Sequence, residues 1–193
     1  TVATSGSAIV YDDAGKNLHR NQYSFASGLL GAMENEGSYF FDAYAVHPYH
    51  VAQAPEVKDV WIENTTWSEQ AQYGKVAFDA YGVPAGKELW STEFGYSAKD
   101  SEADSANALQ KASWIVRTML LNEIGKYHEK MYVYDILNDG LNTSDGEHNF
   151  GMINYCENAA WNNVTAYAAK PQYLAMAQYN KMLAGAELKS ANV

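Results

Sequence analysis

The sequence holds one cysteine, four prolines and no apolar run near the ~20 residues of a membrane span. A single thiol, Cys156, excludes an intramolecular disulfide and a cysteine-based zinc cluster. Its setting, Asn154-Tyr155-Cys156-Glu157, matches no pattern that activates a nucleophilic cysteine, so it reads as inert. Basic residues are scarce: 13 Lys and Arg stand against 23 Asp and Glu, a net charge of −10. That balance lacks the basic face needed to meet phosphates and argues against nucleic acid or an anionic membrane as partner. Neither a Gly-x-Ser-x-Gly elbow nor a phosphate-cradling Gly-x-x-x-x-Gly-Lys occurs. Of the five histidines, His47 and His50 stand three apart but too close to Pro48 to lie on a helix, and no metal site or cofactor is expected.

What is present is apolar and aromatic. Hydrophobic residues make up 47% and charged ones 19% of 193 residues, enough for one domain with a core, or for part of a larger one. Fifteen Tyr, five Trp and six Phe bring the aromatic share to 13%, a composition suited to neutral polar ligands such as sugars, whose C–H faces pack on rings. The chain opens at Thr1 without an initiator Met or a signal peptide, as expected of a processed product or a piece of a longer polypeptide.

Four strand-like runs follow one another: Thr1 to Val10, Tyr39 to Val46, Glu88 to Thr92, and Lys130 to Ile136. Helical spacing separates them. Phe25, Leu29, Leu30 and Met33 mark a first helix; Trp61 to Tyr81 a second, stopped by Gly82-Val83-Pro84. Asp104 to Tyr127 is the clearest, with Ser101 or Asp100 as cap and Leu109, Ala112, Ile115, Val116, Met119 and Leu120 as its stripe. A polar loop from Asn138 to about Ala169 leads to a last helix opened by Lys170-Pro171. Strand ends fall about 37, 46 and 43 residues apart, a βα rhythm that implies an α/β fold with a parallel sheet. In such sheets the strand C-terminal ends carry the chemistry. His47, Glu93 and Asp135 to Asp139 stand there. A carboxylate directly after an apolar strand is awkward as a solvated charge, though a salt-bridged strand end would explain it equally well. Glu34-Asn35-Glu36, at a helix C-terminal end, reads as solvent-exposed.

His47-Pro48-Tyr49, Leu89-Trp90-Ser91-Thr92-Glu93-Phe94-Gly95, Tyr134-Asp135, Asn138-Asp139-Gly140 and Asn149-Phe150-Gly151 together resemble clan A glycoside hydrolases, nearest to family 39. The closing Lys170-Pro171-x-Tyr173 is similar to that group's last barrel helix. The resemblance implies a TIM (β/α)8 barrel and retaining hydrolysis, with Glu93 as nucleophile. It implies His47 and Tyr49 as sixth-strand residues lining the sugar site. Tyr132 or Tyr134 would stand where the clan commonly has an eighth-strand Trp, with Trp161 as a substitute platform and Asp135 and Asn138 as further substrate contacts. The four units correspond to strands 5 to 8, so residues 1–193 are expected to form the C-terminal half of a barrel whose N-terminal half, with the acid/base carboxyl, is absent.

The expected partner is therefore that N-terminal half or a second copy of the chain, besides a carbohydrate substrate. A secreted or periplasmic setting accompanies polysaccharide degradation, and the sequons at Asn64, Asn142 and Asn163 would be used only in a secreting eukaryote. The alternative reading is a non-catalytic carbohydrate-binding or scaffold module that keeps a barrel-like sequence.

Overall fold

The structure, a computed structural model, describes residues 20–50, 52–60, 64–98, 106–154 and 168–191. The expected strand at Thr1 to Val10, the helix caps at Asp100 and Ser101, Cys156 and Trp161 lie outside them. The chain divides into two compact units, one of Thr1–Phe94 with Gly125–Tyr132 and one of Gly95–Ile124 with Val133–Val193.

In the first unit α1 (Arg20–Asn35) leads to β1 (Ala43–Val46), and α2 (Trp67–Ala71) and α3 (Tyr73–Ala80) lead to β2 (Glu88–Phe94). A third strand, β3 (Lys130–Val133), completes a sheet of order β1-β2-β3. β1 and β2 run parallel, in register from Ala43 with Glu88 to Val46 with Ser91. The spacing of Leu29, Leu30 and Met33 does what it predicts: all three join Ala26, Phe41, Tyr44, Ala77 and Leu89 in one apolar cluster. Only the second half of the run Tyr39 to Val46 pairs as strand. Tyr39 and Phe41 instead pack edge to face, with ring centroids 6.4 Å apart. Tyr44 is 1% exposed, and burial pushes its hydroxyl up to about 12.

The helix expected from Trp61 to Tyr81 is two helices. Thr66 caps the first, its side chain accepting from the Glu69 N–H while Glu69 reaches back to the Thr66 N–H, so the helix starts at Trp67. Gln72 separates it from α3. On α3, Gly74 lets the helix approach the strand: a Cβ there would meet Leu89 Cδ2 at 2.7 Å. Gly74→Ala gains up to about 1 kcal/mol of helix propensity but overpacks this contact by about 1–3 kcal/mol. A net loss is expected, read as a lower urea midpoint; a rise would show that Leu89 repacks freely.

The second unit carries α4 (Ala106–Gly125), a short 3-10 turn (Glu147–Asn149) and α5 (Pro171–Leu183), with Pro171 in the first turn as expected. The buried face of α4 shares Ala112 and Ile115 with the expected stripe, with Val116 and Met119 half-buried, but is turned away from its leucines. Ala108, Lys111, Ala112, Ile115, Thr118 and Asn122 are buried, while Leu109 and Leu120 are exposed. The reason is aromatic: Lys111 Nζ lies 3.9 Å from the Trp114 ring centroid, and Thr118 Oγ1 meets Tyr96 OH at 3.0 Å. Residues 135–138 pair with 152–153 through Met152 N to Asp135 O, Ile153 N to Ile136 O and Asn138 N to Ile153 O. Gly151 permits the approach, since a Cβ there would lie 2.0 Å from the Asn138 nitrogen. The Lys170 N–H donates to Met152 O at 2.8 Å and ties this ladder to the start of α5.

Candidate active site

The C-terminal ends of β1 and β2 bring an imidazole, a phenol and a carboxylate together. One residue past the registered pair Val46 and Ser91 stand His47 and Thr92, and His47 Nε2 lies 3.0 Å from Thr92 Oγ1. His47 Nδ1 lies 3.4 Å from Glu93 Oε2, and Tyr49 OH donates to the same oxygen at 3.0 Å. Glu93 reaches this position because the alternation of β2 changes phase. Leu89 and Ser91 are buried in turn, then Phe94 rather than Glu93 takes the next buried place, leaving the carboxylate 37% exposed.

Pro48 ends β1 by removing a ladder donor, and the loop after it is held from α2. Trp67 Nε1 donates to Pro48 O at 2.9 Å and Gln70 Nε2 to Tyr49 O at 2.9 Å. Farther along, Asp59 Oδ2 accepts from Ala52 N at 2.7 Å. The phenol that meets Glu93 thus stands on a braced loop. Burial lowers the His47 pKa, and the Glu93 charge works against that shift. Tyr132, on β3, is 47% exposed, with its ring centroid 6.2 Å from that of Trp90. Beside it Lys130 Nζ sits 4.2 Å over the Trp90 ring, whose Nε1 donates to Glu88 Oε2.

The second unit gathers Tyr134, Asp135, Asn138 and Lys170. Tyr134 OH donates to Asp139 Oδ2 at 2.9 Å, and this bond, with burial, raises its pKa. Lys170 is 3% exposed, its Nζ donating to Asn138 Oδ1 at 2.6 Å and Asn149 O at 3.0 Å. Asn138, a substrate contact by the resemblance, is 1% exposed, and its side-chain carbonyl accepts from Lys170. Burial lowers Lys170 to about 8 against the pull of Asp135, and burial followed by the Asp139 charge raises Asp135 to about 6.

Asp135 therefore binds its proton more tightly folded than unfolded. Its contribution to stability is present below its ordinary value of 3.8 and is lost as pH rises through about 6. Wild type is expected to lose urea midpoint relative to Asp135→Asn between about pH 4 and pH 6. Parallel midpoints for the two proteins across that range would remove the assignment.

Sequence reasoning found His47, Tyr49 and Glu93, which the structure brings together. It missed Thr92 as the partner of His47 and Lys170 as a buried cation. Both stand inside motifs already noted, Leu89 to Gly95 and Lys170-Pro171, but neither residue type announces its contact.

Parallel strands with helices between them, and acid, imidazole and phenol at strand C-terminal ends, define part of a βα fold. That fold is the one found in family 39 glycoside hydrolases. The chain is similar to the structure of a family 39 glycoside hydrolase from the gut symbiont Bacteroides cellulosilyticus WH2, with 22% identity and a TM-score of 0.58 over 82% of this chain and 31% of that one. It is similar to a monomeric beta-xylosidase from Caulobacter crescentus CB15, with 16% identity and a TM-score of 0.53, covering 84% and 31%. The GH39 enzyme from Xanthomonas axonopodis pv. citri matches with 16% identity and a TM-score of 0.53, covering 84% and 30%. The chain thus spans about 31% of the length of the first two structures. No protein-family model matches the sequence, and no curated protein does.

Proposed function

We propose that this chain is the strand 5 to strand 8 part of a retaining glycoside hydrolase barrel, with Glu93 as its nucleophile. The observation that carries the reading is the Glu93 carboxylate at the end of β2, with Tyr49 OH at 3.0 Å and His47 Nδ1 at 3.4 Å from one oxygen. Both neighbours approach Oε2, and Oε1 is the oxygen we assign to attack. Its lone pair forms a bond to the anomeric carbon as the bond to the leaving oxygen breaks. That oxygen takes a proton from a carboxyl group of the remaining barrel, about 5–5.5 Å from Glu93. The same group then removes a proton from water, which displaces Glu93 and releases the sugar. Tyr132, Tyr134, Asp135 and Trp161 keep the sugar-binding roles that the resemblance implies.

A β-xyloside is the first substrate to try, following the beta-xylosidase among the similar structures. The remaining barrel is the partner we assign. In the second unit, Leu109 is 57%, Leu174 61% and Met182 69% exposed, apolar surface of the kind a further helix layer covers. Purified chain should hydrolyse aryl β-xylosides only after addition of a segment carrying strands 1 to 4. Turnover by the 21.4 kDa chain alone as a monomer would defeat the reading, because one carboxylate would then do the work of two.

A further inference from the structure

His47 faces a carboxylate on one side and a hydroxyl on the other. Its Nδ1 is 3.4 Å from Glu93 Oε2 and its Nε2 is 3.0 Å from Thr92 Oγ1, and the imidazole is 12% exposed. A neutral imidazole carries one N–H, and which nitrogen holds it depends on what each nitrogen meets. With the proton on Nε2, a bare Nδ1 lone pair would confront the carboxylate, a repulsion that the partly buried setting screens weakly. With the proton on Nδ1, the positive end of the N–H lies near the carboxylate, although the 3.4 Å contact is not a hydrogen bond, and Nε2 needs a donor. A threonine hydroxyl is a rotor that can donate or accept, so Thr92 can supply that hydrogen. The strand register makes the contact dependable, because His47 and Thr92 each follow directly on the registered pair Val46 and Ser91.

We propose that Thr92 is a positioning residue whose hydroxyl donates to His47 Nε2 and thereby keeps the His47 proton on Nδ1, beside the Glu93 carboxylate. The catalytic consequence rests on the reading of Glu93 as nucleophile. The Tyr49 hydroxyl bonds Oε2, and an Nδ1–H 3.4 Å from the same oxygen adds its positive end to the side of the carboxylate that does not attack. The tautomer itself does not depend on that reading.

The test is NMR on the chain labelled with 15N-histidine. Couplings from the ring C–H protons distinguish a protonated from a bare nitrogen, and His47→Gln identifies the His47 signals by their loss. Near neutral pH, wild type should show Nδ1 protonated and Nε2 bare. Thr92→Val, close in shape, should move the His47 nitrogens toward tautomer averaging, and Thr92→Ser should restore them. The signals of the other histidines report whether each variant is folded. If Thr92→Val does not fold, the wild-type tautomer and Thr92→Ser decide the matter. An Nε2–H ring or an imidazolium in wild type, or a His47 spectrum unchanged in folded Thr92→Val, overturns the proposal. In the complete barrel Thr92→Val should lower kcat about tenfold with KM little changed, as expected for an interaction that matters most in the transition state. An Nδ1–H ring in a chain that never hydrolyses glycosides, even with its remaining barrel, retires the glycosidase reading and leaves this one standing. An Nε2–H ring in an active enzyme does the reverse.

Discussion

With Glu93 as the proposed nucleophile, Glu93→Gln is expected to lower kcat for aryl glycosides on the order of 10⁴-fold in the assembled barrel, the scale seen when a covalent nucleophile is removed. The amide keeps the shape of the side chain but has no charge with which to attack the anomeric carbon. Because Glu93 is 37% exposed, its replacement should leave the unfolding midpoint of the chain near wild type. Tyr49→Phe should fall between: the carboxylate remains, and only the phenol at 3.0 Å is lost. A loss of about 10- to 100-fold corresponds to one charge-assisted hydrogen bond of about 1.5–3 kcal/mol. Single-turnover assays with an aryl glycoside, followed by intact mass, would show a sugar ester on wild type and none on Glu93→Gln. Undiminished hydrolysis by Glu93→Gln would move the nucleophile elsewhere.

Lys170→Ala is expected to cost about 3 kcal/mol, the largest stability effect of any single residue considered. Lys170 is 3% exposed, and its ammonium satisfies Asn138 Oδ1 and Asn149 O beside the Asp135 carboxyl. Truncation leaves Asn138 Oδ1 without a donor and Asn149 O with the Ala98 N–H alone, and it removes the positive charge that acts on Asp135. Asp135 can relieve part of that by taking up a proton, so Lys170→Ala with Asp135→Asn should recover some of the loss. Urea unfolding measures the cost, and amide exchange over residues 138–154 should rise with it. A midpoint shift corresponding to less than about 1 kcal/mol would mean that water replaces the ammonium without penalty.

Much of the site was legible because its chemistry sits at strand ends, and strand ends are marked in sequence. Pro48 after Val46 and Gly95 after Phe94 show where two apolar runs stop, and the polar residues beside them are His47, Tyr49 and Glu93. Parallel pairing does the rest, since neighbouring strand ends about 4.8 Å apart cannot keep such side chains from meeting. The final helix was legible for a similar local reason, a proline tolerated in its first turn. The face of α4 is legible only in part: Ala112 and Ile115 of its apolar stripe are buried, yet Leu109 and Leu120 are exposed. Hydrophobicity alone puts leucine inward and lysine outward. Lys111 is buried because its stem and ammonium lie over Tyr96 and Trp114, rings whose nearness no periodicity records.

The order of strands and helices, the parallel sense of the sheet and the presence of Glu93 at a strand end follow from local pattern, because backbone geometry repeats every two or 3.6 residues and side chains must follow it. The tertiary structure alone decided that Glu93 leaves the alternation of β2, that Thr92 is what His47 leans on, and that Lys170 lies buried between Asn138 and Asn149. Each of those depends on atoms tens of residues apart in sequence meeting within about 3 Å, and a hydrogen bond of that reach leaves no period behind in the chain that makes it.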